Sequence, residues 1–262
     1  MPGKGLFIRK KLKGLLNSLF YSGDAYSCPI CNFSSDIMLA TGKDYPIIKE
    51  KQIIGAGLRN TACIKCGSCD RERLIFLFLK DYIHIFEKEN PYKVLHIAPE
   101  IPIYDKLKKL SNIDYVCGDK FEKGYDYPRK VQNIDITKLE FPDNSFDLIV
   151  CNHVLEHIPN DMIALSELYR VLKPNGIAML QVPLSIANET TFEDLTIKSD
   201  EERIRFFGQK DHVRLYGKDY PNRLKSAGFS IEILEISNKE EYKKYNLNTL
   251  EKVFIGKKII SD

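Results

Sequence analysis

The order of apolar and polar positions divides the chain into two regions. Residues 24–70 hold short apolar segments broken by Cys, Gly, Pro, Asn and Ser, which is typical of a small loop-rich module. From Lys93 onward, strand-like runs alternate with helix-like segments. This alternation predicts an α/β fold with a doubly wound, mostly parallel sheet. Strands are predicted at 93–97, 113–117, 146–152, 176–182, 229–235 and 251–257.

Two helices are predicted around these strands. Residues 71–88 form a mainly apolar segment that predicts a buried helix between the module and the sheet, with His84 as a packing residue. The segment DMIALSELYRVLKPNG repeats leucines at helical spacing. We expect Pro174 and Gly176 to end that helix.

A third helix is predicted at the start of the chain, within residues 1–23. Its apolar positions recur at helical spacing, and basic residues lie between and before them. Two interpretations stay open: a helix docked on the body, or an anchor that binds anionic lipid through residues 1–20. The second would place a cytoplasmic protein at the inner membrane face. The apolar stripe consists of Ile8, Leu12, Leu15, Leu16 and Leu19.

Charge is unevenly distributed along the chain. The net charge of the 262 residues is +3, and five basic residues precede the first acid. Without these five, 34 basic residues (39 − 5) face 36 acidic ones, so the remainder lacks the basic bias of a phosphate-backbone binder. Nucleic acid is therefore not an expected partner. No apolar run reaches the roughly 18 residues that span a bilayer, and no export signal is evident, so we expect a cytoplasmic protein.

Five of the seven cysteines cluster in the motifs CPIC and CIKCGSC. Two CxxC pairs can supply four thiolates to a structural zinc ion. The second pair is ambiguous, because Cys63/Cys66 and Cys66/Cys69 both fit. A Gly-Ser pair follows Cys66, as a turn after such a pair often requires, so Cys28, Cys31, Cys63 and Cys66 are predicted ligands. Cys69 is then a spare thiol.

The motif HVLEH, from His153 to His157, formally fits the H-x-x-E-H pattern of inverted zinc peptidases. That chemistry needs both histidines on a sustained helix. Here the motif follows a predicted strand directly, and Pro159 comes two residues after His157. We therefore expect Glu156 and His157 to have structural roles beneath a pocket.

The segment from residue 141 to 183, FPDNSFDLIVCNHVLEHIPNDMIALSELYRVLKPNGIAMLQVP, resembles the fourth-strand to fifth-strand region of class I S-adenosylmethionine-dependent methyltransferases. The stretches NIDITKLEFPDNSFD and FGQKDHVRLYGKDYPNRLKSAGF extend the similarity. With the paired cysteines, the chain resembles a bacterial subgroup with an N-terminal cysteine module, over residues 28–257. The resemblance implies a seven-stranded Rossmann-like sheet over 71–262, with an acceptor-site insertion at about 184–217.

The turn after the first strand departs from the pattern of these enzymes, which write it D-x-G-x-G. Here His96 takes the acidic position, Ala98 the first glycine position and Glu100 the second, with Pro99 between them. The resemblance implies that this variant turn still binds S-adenosylmethionine. Ala98 is small enough for a close approach, and Glu100 can accept hydrogen bonds from the cofactor's ammonium or ribose.

Further cofactor contacts are implied at the ends of the other strands. Asp119, with Lys120 beside it, matches the residue that accepts from ribose hydroxyls, and Asp135 with Ile136 matches the adenine contact. The alternatives are a solvated loop acid for Asp119 and a helix N-cap for Asp135. Asn152 and His153 end the fourth strand, at the edge where open α/β sheets bind ligands.

Other residues are candidates for binding and deprotonating the methyl acceptor. Methyl transfer to a hydroxyl needs a base, and His153 and His212 are the candidates because histidine titrates near neutrality. Asp211 is expected to orient His212, and Arg214 to bind an anionic acceptor. Thr191, Glu193 and Asp194 are expected contacts to sugar hydroxyls.

Three functions compete on these observations. The first is O-methylation of a small-molecule, glycan or lipid-linked acceptor by S-adenosylmethionine, with S-adenosylhomocysteine as product. The second is an RNA methyltransferase that grips RNA through its zinc module, which the near-neutral body disfavours. The third is a non-catalytic protein whose altered turn no longer holds the cofactor.

Overall fold

The computed structural model describes residues 20–88, 91–121, 127–128 and 130–259. Most of the predicted basic helix, residues 1–19, lies outside this part, so its contact with anionic lipid stays a prediction. A strand, Ser22–Cys28, begins within the last residues assigned to that helix. Among the described residues, none of the helices combines the length and apolar character that crossing a bilayer requires.

A seven-stranded sheet forms the centre of the molecule. Its strands are β1 (Tyr92–Ile97), β2 (Ile113–Asp119), β3 (Gln132–Asn133), β4 (Phe146–Asn152), β5 (Leu172–Gln181), β6 (Ser230–Leu234) and β7 (Val253–Lys257). Their order in the sheet is β6-β7-β5-β4-β1-β2-β3, and only β7 runs antiparallel to its neighbours. This is the order of the class I methyltransferase fold, and it confirms the predicted doubly wound, mostly parallel sheet.

Helices cover both faces of this sheet, and shorter elements complete the chain. The α-helices are Pro46–Glu50, Asp70–Leu77, Ile101–Leu107, Asp161–Val171, Asp200–Phe207 and Tyr220–Ser226. Short 3₁₀ turns are Ile85–Glu87, Leu155–His157, Ile236–Asn238 and Glu240–Tyr245, and Phe78–Tyr82 is a π-helical turn. Two-stranded pairs are Ser22–Cys28 with Phe33–Ser35, Leu39–Thr41 with Arg59–Ala62, Ile53–Ile54 with Leu184–Ser185, and Phe192–Glu193 with Arg214–Leu215.

The strand residues alternate between two cores because successive side chains point to opposite faces. In β4, Leu148 and Val150 pack with the helix Asp70–Leu77, whereas Ile149 and Cys151 pack with the helix Asp161–Val171. All four side chains are fully buried. The continuous apolar run that identified β4 in the sequence is thus explained by burial on both faces.

The segment 71–88 is not the single helix that the sequence predicts. It becomes an α-helix, then the π-helical turn Phe78–Tyr82, and then a 3₁₀ turn after His84, whose φ is +54°. The prediction that His84 packs in the core is wrong, since its side chain is 58% exposed beside Glu87. The irregular turns keep Ile83 and Ile85 buried while His84 projects into solvent.

The helix that begins at Asp161 ends earlier than Pro174 would require. It stops at Val171, and β5 starts at the next residue. The pairing of β5 with β4 shifts register between Leu172 and Ile177, which places Pro174 in an irregular part of the strand. A bulge of this kind tolerates a residue without an amide donor.

The cysteine module packs continuously with the sheet domain. Cys28, Ile30 and Cys63 share one apolar cluster with strands β1, β4, β5 and β7. Arg73 is fully buried, and its guanidinium donates to the main-chain oxygens of Thr61 and Ser68 in the module and of Tyr245 and Asn246 near the end of the chain. A buried charge satisfied by four carbonyls fixes the two parts together.

Candidate functional site

The variant turn after β1 adopts a conformation that favours glycine. Ala98 has φ of +48°, and its amide donates to the Gly118 oxygen at 2.8 Å. An alanine in this left-handed region is strained, and the position is the one at which the related pattern has its first glycine. The backbone of the turn is therefore kept although the glycine is not.

The two polar residues of this turn bind each other. His96 is fully buried, and its ring nitrogens lie 2.9 Å from Glu100 Oε2 and 2.9 Å from the Tyr115 hydroxyl. Burial by itself would raise the pKa of Glu100, but the hydrogen bond from His96 and the charges of His96 and Arg71 outweigh it and lower the pKa. Glu100 is therefore ionised and available as an acceptor at neutral pH.

The ends of the second and third strands of the sheet lie side by side. Asp119 is the last residue of β2 and pairs with Asn133 of β3. Asp135 accepts hydrogen bonds from the Thr137 amide and hydroxyl, and the Lys120 ammonium lies 3.0 Å away. The Thr137 hydrogen bonds and Lys120 lower the pKa of Asp135 to about 2. Much of its hydrogen-bonding capacity is thus used locally, as in the N-cap alternative.

The cofactor contacts predicted beyond Asp135 differ in their exposure. Ile136 is 4% exposed and belongs to the core beneath the sheet edge. At the end of β4, Asn152 is 3% exposed, and both atoms of its side-chain amide lack a hydrogen-bond partner among the described residues. Buried amides of this kind are rare unless a ligand or water completes them.

His153 follows Asn152 in a left-handed conformation, with φ of +52°. Its Nε2 is buried and also lacks a partner within the described chain. Burial, together with the charge of Arg71, lowers the pKa of His153, which favours the neutral ring. Gly55 of the cysteine module lies against this ring, since a Cβ built there would be 3.0 Å from His153 Cε1.

Sequence reasoning missed Arg71. It follows the first residue of the helix Asp70–Leu77, and its charge acts on Glu100, Glu156 and His153. Its Nε is buried without a hydrogen-bond partner among the described residues. The available signal was a charged residue at the start of a mainly apolar segment. Together with Gly55, Arg71 makes the region before Lys93 a wall of the site.

Glu156 stands at the centre of the histidines that the sequence singled out. Its side chain is 2% exposed, and His153 Nδ1, His157 Nε2 and His212 Nε2 lie 3.5, 3.9 and 4.0 Å from its Oε1. Burial would raise the pKa of Glu156, but the histidines outweigh it and lower the pKa to about 2. Burial also lowers the pKa of His212 to about 4.

Asp211 contacts His157, whereas the sequence predicts that it orients His212. The Asp211 main-chain oxygen lies 3.2 Å from His157 Nδ1, and its carboxylate lies 3.6 Å from the same nitrogen. The rings of His157 and His212 meet edge to face, with centroids 4.7 Å apart. Asp211 therefore orients His157, which in turn packs against His212.

The predicted acceptor contacts have partners within the chain. Thr191 donates its hydroxyl and amide to Asp219, and Asp194 accepts from Thr196 in an exposed turn. Arg214 is 1% exposed. The contacts of Arg214 favour a structural role over the predicted binding of an anionic acceptor, because its guanidinium donates to Glu193 and to the main-chain oxygens of Leu155, Ile158 and Pro159.

A cleft of about 650 Å³ lies beside the predicted insertion. Thr191 contributes to its wall, and so does the helix Pro46–Glu50 of the cysteine module. The lining mixes aromatic and polar side chains: Asn188, Glu189, Thr190, Phe192, Arg205 and Phe206. Polar groups and aromatic rings therefore line the same cleft.

The four predicted zinc ligands converge in the module. All four Sγ atoms lie within 4.8 Å of one another, with Cys28–Cys66 and Cys31–Cys63 separations of 3.7 Å. A tetrahedral ion with Zn–S bonds of about 2.3 Å needs sulfurs about 3.8 Å apart, so the donor set fits zinc.

The two CxxC pairs have matching turns. The Asn32 amide donates to the Cys28 oxygen and the Gly67 amide to the Cys63 oxygen, both at 2.8 Å. Asn32 and Gly67 both have positive φ. Cys69 lies instead at the start of the helix Asp70–Leu77, where burial and Glu72 raise the pKa of its thiol to about 12. This geometry supports Cys63/Cys66 over Cys66/Cys69 as the second pair.

Part of the chain is similar to known methyltransferases. Residues 108–180 match the family model described as a methyltransferase domain. The demethylmenaquinone methyltransferase of Listeria welshimeri is 51% identical over 119 residues, which cover 45% of this chain and 42% of that protein. The enzyme of the same name from Staphylococcus carnosus is 37% identical over 75 residues, or 29% of this chain and 24% of that one.

Another relative, an uncharacterised protein of Methanocaldococcus jannaschii, is 30% identical over 129 residues, covering 48% of this chain and 57% of that one. The chain thus spans less than two thirds of the length of these curated relatives. A S-adenosylmethionine-dependent methyltransferase structure from Mesorhizobium loti matches with a TM-score of 0.48 at 13% identity, over 68% of this chain and 97% of that one. One from Archaeoglobus fulgidus matches with a TM-score of 0.44 at 21% identity, over 73% and 95%.

Proposed function

We propose that this chain is a class I S-adenosylmethionine-dependent methyltransferase with a structural zinc ion in its cysteine module. The observation that carries the proposal is the group of buried polar atoms without partners among the described residues beside the variant turn. They belong to Asn152, His153 and Arg71. They lie at or beside the carboxyl end of β4, the edge at which open α/β sheets bind their ligands.

The chain's own residues suit the parts of that cofactor. The ionised Glu100 can accept from the ammonium or a ribose hydroxyl, and Asp119 can accept from the ribose. Asn152 offers both a donor and an acceptor. Asp135, beside Lys120, is the proposed adenine contact. When bound, S-adenosylmethionine supplies an activated methyl group on a positively charged sulfur.

We infer a small-molecule or glycan acceptor. The relatives named demethylmenaquinone methyltransferase support a small-molecule acceptor, and the cleft of about 650 Å³ offers hydroxyl, amide and aromatic groups for one. The chain's task is then to align the acceptor and take up its proton. His153 and His212 remain the proposed bases, since burial lowers the pKa of each and keeps a free ring nitrogen available at neutral pH.

Calorimetry with S-adenosylmethionine tests the proposal. The wild-type protein should bind, and Asn152→Ala should bind about tenfold more weakly, because it loses the hydrogen bonds that its amide would make with the cofactor. Asn222→Ala changes an exposed asparagine on the helix Tyr220–Ser226 and should bind normally. No heat of binding by the wild-type protein at millimolar cofactor would mean a non-catalytic protein.

Transfer itself is measured separately. Incubation with cofactor labelled in the methyl group, against quinols and free and lipid-linked sugars, should move label to one acceptor class and release S-adenosylhomocysteine. If the protein binds the cofactor but transfers label to none of these acceptors, the proposed cofactor site would stand and the proposed acceptor class would be wrong.

A further inference from the structure

The carboxylate of Glu156 has unused hydrogen-bonding capacity in a buried position. Its carboxylate is buried, and neither oxygen has a hydrogen-bond partner among the described residues. A buried carboxylate that makes no hydrogen bond is costly even beside charged groups, so such groups normally gain hydrogen bonds or bind a metal ion. The three imidazoles around it approach no closer than 3.5 Å.

The donor atoms of Glu156 and two histidines converge on one point. One ligand atom each from Glu156, His157 and His212 lies within 4.8 Å of the others. Both imidazole Nε2 atoms face the same carboxylate oxygen, Oε1, at 3.9 and 4.0 Å. Zinc bonds of about 2.0–2.2 Å would place such donors about 3.4 Å apart, so these two distances to Oε1 exceed that spacing by about half an ångström.

The surroundings of His157 fix the ring in the form that binds metal. Its Nδ1 lies 3.2 Å from the Asp211 main-chain oxygen and so donates its proton there. The lone pair is then on Nε2, which faces Glu156. Ligating histidines almost always donate the other ring N–H to a carbonyl or carboxylate in this manner. The His157 side chain is 29% exposed, which gives an ion a way in.

The two segments that carry the donors are held together by the main chain. Glu156 and His157 lie in the 3₁₀ turn Leu155–His157, and His212 comes from the segment after the helix Asp200–Phe207. The Val213 amide donates to the Glu156 main-chain oxygen at 2.9 Å. The triad thus differs from the peptidase arrangement of HVLEH, since His153 is not one of its three donors.

We propose that Glu156, His157 and His212 form a second metal site, which binds a divalent transition-metal ion such as Zn²⁺. Two imidazoles and one carboxylate suit Zn²⁺ or Fe²⁺ and disfavour Ca²⁺ and Mg²⁺, which take oxygen ligands. Three protein donors leave a coordination position open for water or a ligand. Metal on His212 Nε2 would occupy the lone pair that a base needs, leaving His153 as the base. Metal binding does not require the proposed methyl transfer, but an occupied site would exclude His212 as its base.

Metal titration of the full chain tests the site. Protein first saturated with one equivalent of Zn²⁺, for the cysteine module, is titrated with further Zn²⁺ in a calorimeter. Wild type should bind about one additional equivalent. His157→Gln and His212→Gln should each weaken this binding at least about tenfold. His84→Gln removes an exposed histidine outside the cluster and should leave binding unchanged.

Histidine resonances of the wild-type protein give a readout that needs no variant. With ¹⁵N-labelled histidine, Zn²⁺ should shift the ring signals of two of the five histidines strongly, and those two should be His157 and His212. The proposal is overturned if no ring signal shifts and no additional equivalent binds. It is also overturned if His157→Gln and His212→Gln bind the additional ion as tightly as His84→Gln does.

Discussion

His96 and Glu100 are joined by a contact of 2.9 Å across the turn that follows β1. The pair replaces an acidic residue and a glycine in the related pattern. His96 is held from its other side by the Tyr115 hydroxyl. The turn is thus built by side chains as well as by backbone, and Glu100 remains ionised at the mouth of the site.

Glu100→Ala is expected to weaken binding of S-adenosylmethionine by about ten- to a hundredfold. The reason is the loss of a charged hydrogen-bond acceptor in a largely buried position, which costs roughly 1.5–3 kcal/mol. Calorimetry measures the effect. Asp105→Ala removes a half-exposed acid from the helix Ile101–Leu107 and serves as the control. Equal affinities for the two variants would limit Glu100 to holding His96.

Ala98→Val is expected to lower the free energy of unfolding by about 1–2 kcal/mol. A β-branched side chain is poorly tolerated at φ of +48°, where even alanine is strained. Urea unfolding measures the change. Ala40→Val, at an exposed strand position, should have little effect. Ala98→Gly should be at least as stable as wild type, and a large loss of stability in Ala98→Gly would contradict a left-handed turn here.

The sheet could be predicted because its strands are buried on both faces and appear as short apolar runs. Phe146–Asn152 coincides with the predicted 146–152, since its apolar side chains alternate between two cores. The third strand, Gln132–Asn133, is only two residues long and has no apolar pattern, so it came from the resemblance alone. Segment 71–88 is mainly apolar, and such a pattern does not show where a helix changes to a π-helical turn.

The candidate site was predictable where motifs mark strand ends and unpredictable where distant segments meet. Asn152 and His153 follow a strong strand signal. The approach of Gly55 and Arg71 to His153 depends on how the module packs, which no local pattern encodes. Arg214 looked like a surface anion binder, and burial among main-chain carbonyls is a tertiary effect.

Cys66→Ser is expected to lose the zinc ion of the module, whereas Cys69→Ser should keep it. Of these two cysteines, only Cys66 belongs to the group of four converging sulfurs, whereas Cys69 lies at the start of the following helix. Four thiolates form a closed structural site, so the loss should also lower the melting temperature. Zinc content by mass spectrometry and thermal unfolding measure both effects. Retention of zinc by Cys66→Ser and its loss from Cys69→Ser would identify the other pair as ligands.

Glu251 should make the protein less stable as pH rises. It is 5% exposed, and burial, with a smaller contribution from Asp70, raises its pKa from 4.5 to about 7. Between these two values the folded protein holds a proton that the unfolded chain has released. The free energy of unfolding therefore falls with rising pH across this window. The contribution is complete below 4.5 and lost above 7, and it amounts to at most about 3 kcal/mol.

Glu251→Gln keeps the shape of the neutral side chain and cannot ionise, so its stability should change less with pH. Urea unfolding of wild type and variant at about pH 5.5 and pH 8 measures the difference. The free energy of unfolding of the variant, relative to that of wild type, should be higher at pH 8 than at pH 5.5. Glu235→Gln, which alters an exposed partner of Lys252, should follow the wild-type profile. Parallel profiles for wild type and Glu251→Gln would mean that Glu251 is already ionised in the folded protein, stabilised by Arg59 and Arg71.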